Sequence, residues 1–284
     1  MEIGIHDYYI KRYGLTEGAK KMVADGYSYL DYQLTDISGE LYAAMDEDFL
    51  KKVIEIKREL DSAGLRVVQI HGPFGELVPD GTEEERAVHF EKMTKAMVVA
   101  KYLGAKYMAA HPLTPFGSAD EGDEDEVIEI NRRFYSALAK VAGKLGITLC
   151  LENLPFPKFP LSPVEKVADL VREINHKNLK MCFDTGHANI FEGRISEKLR
   201  YAGDLIKILH VHDNMGDSDS HLRPYEGTVD WADFAEGLFD IGFDGVINLE
   251  TTPVSKEQLK EGVTDAVAEP AEKKLISIAK LIAG

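Results

Sequence analysis

The stretch Met181-Cys182-Phe183-Asp184-Thr185-Gly186-His187-Ala188 decides how this chain is read. It reads as a short buried strand that stops at an acid, turns on Gly186 and presents His187 three residues after Asp184. Carboxylate oxygen and imidazole nitrogen both bind divalent cations, and the end of a strand is a rigid mount for them. Taken alone, an acid so close to a glycine is also a common turn former. The pattern gains weight because it recurs, strand after strand, through the chain.

Outward from that stretch, strands are predicted at residues 2–6, 27–33, 65–71, 105–111, 147–152, 179–184, 206–212 and 245–250. Helices are predicted between them. One spans 16–25 with Thr16 as N-cap, and one spans 46–63 with Phe49, Val53, Ile56 and Leu60 on one face and Gly64 as its stop. A third spans 82–103, opened by a Thr82/Glu85 capping box and stopped by Gly104, and a fourth ends near Leu145 before Gly146. Further helices cover 162–174, 196–201 and 231–240, with a last one reaching about Ala283. Eight alternating strand–helix units argue for a parallel sheet closed on itself, a single-domain (β/α)8 TIM barrel over residues 1–284. An open doubly wound sheet is the alternative, but no GxGxxG follows the first strand.

The 284 residues are 44% hydrophobic, enough for the core of one barrel, and no linker-like segment divides them. The net charge of −16 opposes nonspecific binding to nucleic acid or to an anionic membrane. The start, Met1-Glu2-Ile3-Gly4-Ile5-His6, carries no basic-then-apolar signal, and no apolar run is long enough to cross a bilayer. Cys150 and Cys182 each precede a strand-end acid by two positions, so they read as reduced thiols inside the barrel. A cytoplasmic protein is expected. The acidic run 120–125 reads as a solvated loop leading into a helix start. The loop 153–163, with Phe156 and Phe159, reads as a lid over a small ligand. The exposed faces show no decisive apolar stripe, which leaves a homo-oligomer open.

The strand ends carry His6, His71, His111, Glu152, Asp184, His210 (or His212) and Glu250. In a barrel these ends share the C-terminal face, where active sites sit. Any one of them could be a helix cap, a turn residue or a rim histidine. A set this large is explained more simply by a shared metal site. The tightest set is Glu152, Asp184, His210 and Glu250, three carboxylates and one imidazole from the last four strands. Such a donor set suits one Mn²⁺, Mg²⁺ or Co²⁺ that keeps open positions and acts as a Lewis acid. A carboxylate there can also serve as a general base.

Taken together, Glu152-Asn153, Asp184-Thr185-Gly186-His187, His210-Val211-His212-Asp213-Asn214, His221, Gly227, Asp230-Trp231 and Glu250 resemble the xylose isomerase-like TIM-barrel superfamily. That group includes sugar isomerases and epimerases of the tagatose 3-epimerase type, inosose-processing enzymes and apurinic-site endonucleases. The resemblance implies that Glu152, Asp184, His210 and Glu250 hold one catalytic metal ion. It implies His210 rather than His212 as the ligand, with His212 behind it or on the substrate, and His187 as a substrate-binding histidine. The implied activity is a divalent-metal-dependent isomerase or epimerase of a small sugar or polyol-derived carbonyl compound. Its proton transfer would pass through a metal-stabilised enediolate, with Glu152 and Glu250 on opposite faces of the reacting carbon. His6, Phe156 and Trp231 are expected in the substrate pocket. A small sugar is the expected partner.

The apurinic-site endonucleases use a three-metal site, and the chain has a counterpart for every ligand: His71, His111, Glu152, Asp184, His187, His210, Asp219, His221 and Glu250. The alternative implied is a zinc-dependent phosphodiesterase. Against it stand the Asn153-Leu154-Pro155-Phe156-Pro157 loop, the His71-Gly72-Pro73-Phe74 turn, and the lack of an Arg/Lys cluster beside the strand ends to meet phosphates. The sugar enzyme is favoured over a nucleic-acid enzyme.

Overall fold

Apolar strand residues are buried on both faces here, which is the pattern of a parallel sheet wrapped by helices. Ile5, Leu30, Ile70, Met108, Leu149, Met181, Leu209 and Ile247 are all fully buried in one continuous core. The computed structural model describes residues 1–35, 40–43, 46–74, 80–117 and 123–284. The strands are β1 (Glu2–His6), β2 (Tyr29–Gln33), β3 (Arg66–His71), β4 (Tyr107–Ala110), β5 (Thr148–Glu152), β6 (Leu179–Asp184), β7 (Ile206–His210) and β8 (Val246–Leu249). All pair in parallel in the order β7-β6-β5-β4-β3-β2-β1-β8. A bridge between Val211 and Leu249 joins the two ends of the sheet, with Val211 N–H donating to Asn248 O at 2.8 Å. The chain forms the expected (β/α)8 barrel.

Helices α1 (Tyr8–Tyr13) and α2 (Leu15–Asp25) follow β1, and α3 (Glu40–Ala43) and α4 (Asp46–Ala63) follow β2. Then come α5 (Glu83–Leu103), α6 (Glu124–Leu145), α7 (Val164–Ile174), α8 (Thr185–Asn189), α9 (Ile195–Ala202), α10 (Trp231–Asp240), α11 (Lys256–Glu261) and α12 (Asp265–Ala283). The Thr82/Glu85 capping box opens α5 as expected, with both reciprocal bonds formed. Of the acidic run, residues 120–122 lie outside the described residues, and Asp123 caps α6 by accepting from Glu126 N–H. Among the described residues, no helix is long and apolar enough to cross a membrane.

Strands β2 to β5 start one or two residues later than the hydrophobic pattern predicts. The reason is local. Tyr27, Leu65, Ala105 and Ile147 each follow a left-handed glycine and donate their N–H to a carbonyl in the last turn of the preceding helix, at 3.0 Å each. These residues finish helices before they can begin strands. Thr16 is not a cap: it sits inside α2 and its hydroxyl donates to Glu59 at 2.8 Å, while Gly14 separates α2 from the unexpected α1. Helix α7 starts after Pro163, so Ser162 is a buried loop residue instead of a helix start. Strand β7 stops at His210 because the next residues turn across to β8 and then pair Asp213 with Leu222.

The barrel interior is divided. Ala109, Cys150, Cys182 and Ile208 fill one side with small apolar groups, and both thiols are free and buried, as read from their positions. The other side holds Asp31, Gln69 and Asn248, each at most 1% exposed. Helix α2 meets α1 closely at Gly18, where an added Cβ would stand 2.5 Å from the carbonyl oxygen of Tyr9. Backbone cannot yield as a flexible side chain does. Gly18→Ala is therefore expected to destabilise the protein by about 1–3 kcal/mol, measured by denaturant unfolding. An unchanged midpoint would show that α1 slides freely on α2.

Candidate metal centre

Glu152, at the end of β5, is the hub of the C-terminal face. Its Oε1 lies 2.9 Å from His210 Nδ1 at the end of β7. Glu250, just past β8, places Oε2 3.2 Å from the same nitrogen. With Asp184 from β6, these four residues offer ligand atoms that all lie within 4.8 Å of one another. The other oxygen, Glu152 Oε2, faces Nε2 of His71 and of His111, each at 3.5 Å. A further group joins His187, His212, Asp219 and His221. There Asp219 Oδ2 lies 3.1 Å from His221 Nε2, and Asp219 Oδ1 lies 3.5 Å from His187 Nε2. His212 Nε2 lies 3.0 Å from both Asp184 carboxylate oxygens and 3.7 Å from Asp219 Oδ1, linking this group to the central one.

Backbone carbonyls aim the histidines. Nδ1 of His71 contacts Gly72 O at 2.8 Å, Nδ1 of His187 contacts Asn153 O at 2.8 Å, and Nδ1 of His221 contacts Glu250 O at 2.7 Å. A carbonyl can only accept, so each Nδ1 carries a proton and each ring turns Nε2 toward a carboxylate, protonated when the ring is a cation and bare when it is neutral and free to bind an ion. Asp184 caps α8 by accepting His187 N–H, and this short helix, absent from the sequence reading, delivers His187. The Asn153 side chain bonds both backbone groups of Asp184, at 2.9 and 3.0 Å, tying β5 to β6. Gly186 is required by close approach: a Cβ there would lie 2.1 Å from His212 Cε1. Buried Asp213 holds the loop that brings Asp219 and His221, accepting from the N–H groups of Asn214, Tyr225, Val229 and the Trp231 indole.

The donor sets fit divalent cations. Glu152 Oε2 and Asp219 Oδ1 are buried carboxylate oxygens with no hydrogen bond, each opposed by imidazole nitrogen. Three carboxylates with one imidazole suit a hard ion, and the Asp219 group with its three imidazoles suits zinc. Without an ion, the histidines must serve as the cations. Burial opposes the ionisation of Glu152, but His210, with hydrogen bonds from His111, His210 and His71, outweighs it and holds this carboxyl well below its usual range. Burial likewise opposes charge on His187 and His221, yet the facing acids, Asp184 and Asp219 foremost, push them up to about 10 and about 9. Unfolded, these rings titrate near about 6.5, so their stabilisation is complete below that pH and is lost as pH rises through the folded values. The depressed Asp219 and Glu250 contribute above the ordinary carboxylate range and lose that contribution only in strong acid. Chelator-treated protein should thus melt lower at about pH 10 than at about pH 7, and added divalent metal should reverse the loss. A midpoint that does not fall would contradict this charge arrangement.

A cavity of about 800 Å³ opens over the site, lined by His71, Phe74, His111, Glu152, Phe156, His187, Asp219, His221 and Glu250 among others. Of the residues expected in the substrate pocket, Phe156 lines it. Trp231 does not: it is 6% exposed, packs on Phe234 and spends its indole N–H on Asp213. Phe159 is likewise a core residue, so the loop after β5 covers the cavity with Leu154, Pro155 and Phe156. His6 lines a separate recess of about 180 Å³ beside Glu250 and His221, with Nε2 against Thr251 O at 3.1 Å. Asp31 beneath His210 and Asp80 at the cavity wall were not singled out from the sequence. An acid between Leu30 and Tyr32 in the middle of β2 was the only signal for Asp31.

Comparison with known proteins places the chain among relatives. The family model described as xylose isomerase-like TIM barrel matches residues 24–269. An uncharacterised protein of Methanocaldococcus jannaschii is 33% identical over 221 residues, covering 74% of each chain. A D-psicose 3-epimerase of Ruminiclostridium cellulolyticum is 27% identical over 207 residues, covering 70% of this chain and 68% of that enzyme. The crystal structure of a D-tagatose 3-epimerase-like protein superposes over 100% of both chains with a TM-score of 0.72 at 25% identity. The chain belongs to the xylose isomerase-like TIM-barrel family.

Proposed function

We propose that this protein is a divalent-metal-dependent epimerase or isomerase of a small sugar or related polyhydroxy carbonyl compound. The observation that carries the reading is the pairing of Glu152 and Glu250 around one imidazole, His210 Nδ1, at the base of the cavity. Two carboxylates converging beside a metal-binding group suit the removal and return of a proton on a carbon next to a carbonyl. The likeness to the psicose and tagatose epimerases supports the same reading.

Glu152, Asp184, His210 and Glu250 would hold the ion, which supplies Lewis-acid stabilisation of negative charge developing on substrate oxygens. Glu152 and Glu250 are the groups that take the proton from one face of the carbon and return it from the other. In the ion-free protein His210 holds both carboxyls ionised, the form in which each can bind an ion or act as a base. His71 and His187 line the cavity and are the groups that would meet substrate hydroxyls. Phe74 and Phe156 exclude water from the reacting carbon. Glu152→Gln should lower kcat by about 100–10,000-fold while the fold persists. Deuterium wash-in from heavy water into a panel of ketoses, followed by NMR, checks it. Retained exchange in that variant would remove Glu152 from the proton path.

A second reading, a zinc phosphodiesterase, is favoured by the five overlapping ligand groups among the described residues, three of which include Glu152. The cavity weighs against it. Among the described residues no Lys or Arg lines it. Phosphate binding calls for such side chains or for free backbone N–H groups. Zinc-loaded protein is therefore expected to leave a duplex with one abasic site intact on a denaturing gel; incision would put the second reading first.

A further inference from the structure

Beneath the ligand cluster the barrel holds a polar island with no evident packing role. Asp31 and Asn248 are 0% exposed and Gln69 is 1% exposed. Gln69 Nε2 and Asn248 Nδ2 both donate to Asp31 Oδ2, at 2.9 and 3.0 Å. His210 Nε2 lies 3.2 Å from that same oxygen. Gly4 leaves space for the arrangement, since a Cβ there would lie 2.8 Å from Asn248 Oδ1. Burying a carboxylate and two amides is costly, and apolar side chains would fill the space at least as well, as they do opposite.

What the island does follows from how the other rings are aimed. His71, His187 and His221 give their Nδ1–H to backbone carbonyls and turn Nε2 inward. His210 is reversed. Its Nδ1 faces Glu152 and Glu250, and a side-chain carboxylate replaces the backbone carbonyl at its far nitrogen. Carboxylates thus face both nitrogens of His210, and an ion held at Nδ1 would leave the ring proton on Nε2, where Asp31 Oδ2 is the facing acceptor. We propose that Asp31 is the positioning residue for His210: it accepts the Nε2–H, selects the tautomer whose Nδ1 lone pair points into the Glu152–Asp184–Glu250 cluster, and is itself held by Gln69 and Asn248. This rests on the metal-site reading above.

The test is calorimetric titration of Co²⁺ into chelator-treated protein, full chain, with the visible spectrum of bound Co²⁺ recorded alongside. Asp31→Asn is expected to weaken binding about 10–100-fold and to shift the Co²⁺ absorption bands. In a His210→Ala background the same change should alter affinity less than about 2-fold, because its effect passes through the ring. Cys150→Ala, on the apolar side of the same interior, should lower thermal stability without changing affinity or spectrum. If Asp31→Asn does not fold, Asn248→Ala removes one of the donors holding Asp31 and should cost about 5-fold in affinity. Wild-type affinity and spectrum in the Asp31 or Asn248 variant, or an equal loss with and without His210, would overturn the proposal. Failure of the unaltered protein to bind Co²⁺ would overturn the metal-site reading and this inference with it.

Discussion

The arrangement of the site depends on keeping one carboxylate, Glu152, ionised at the base of a cavity where it is 1% exposed. An isolated charge in that place would neutralise itself or unfold the chain. The barrel answers with imidazoles: His71 and His111 face one oxygen and His210 faces the other. Each ring must then be held so that it offers the correct nitrogen, and much of the local architecture serves this end. Gly72, Asn153 and Glu250 supply backbone carbonyls, Asp184 caps the helix that carries His187, and Asp31 stands behind His210. The same clustering that preserves the charge also assembles metal-ligand sets.

A site with this much opposing charge is held by geometry that lies mostly outside the cavity. The Asp213 carboxylate accepts from four N–H donors, and these bonds order the loop that delivers Asp219 and His221. His221 itself adopts a positive φ of 49°, a conformation that costs free energy for a non-glycine residue and places its ring flat against His212. Lys198 is buried to secure the end of α8, donating to the carbonyls of Ala188 and Phe191 at 2.7 Å each. Chemistry and scaffold are therefore separable in principle, since a scaffold change misplaces a ring while leaving every ligand present.

The fold and the face of the site were legible because period-2 burial and strand-end polar residues are both local signals. Asp184, Glu152 and His210 could be read directly from apolar runs that stop at a charged or imidazole side chain. What was not legible depended on contacts distant in sequence. Trp231 looked like a pocket aromatic, but its partner Asp213 lies 18 positions earlier and draws it into the core. Helix α1 was missed because six residues between His6 and Gly14 carry too little periodicity to show a helix. Asp31 was passed over because its partners Gln69, His210 and Asn248 come from three other strands.

The most direct test of the central claim is elemental mass spectrometry of the protein purified without added metal. About one Mn, Mg or Co per chain is predicted, held by Glu152, Asp184, His210 and Glu250. About two or three zinc ions per chain would contradict the single-site sugar enzyme and shift the chemistry toward phosphodiester cleavage.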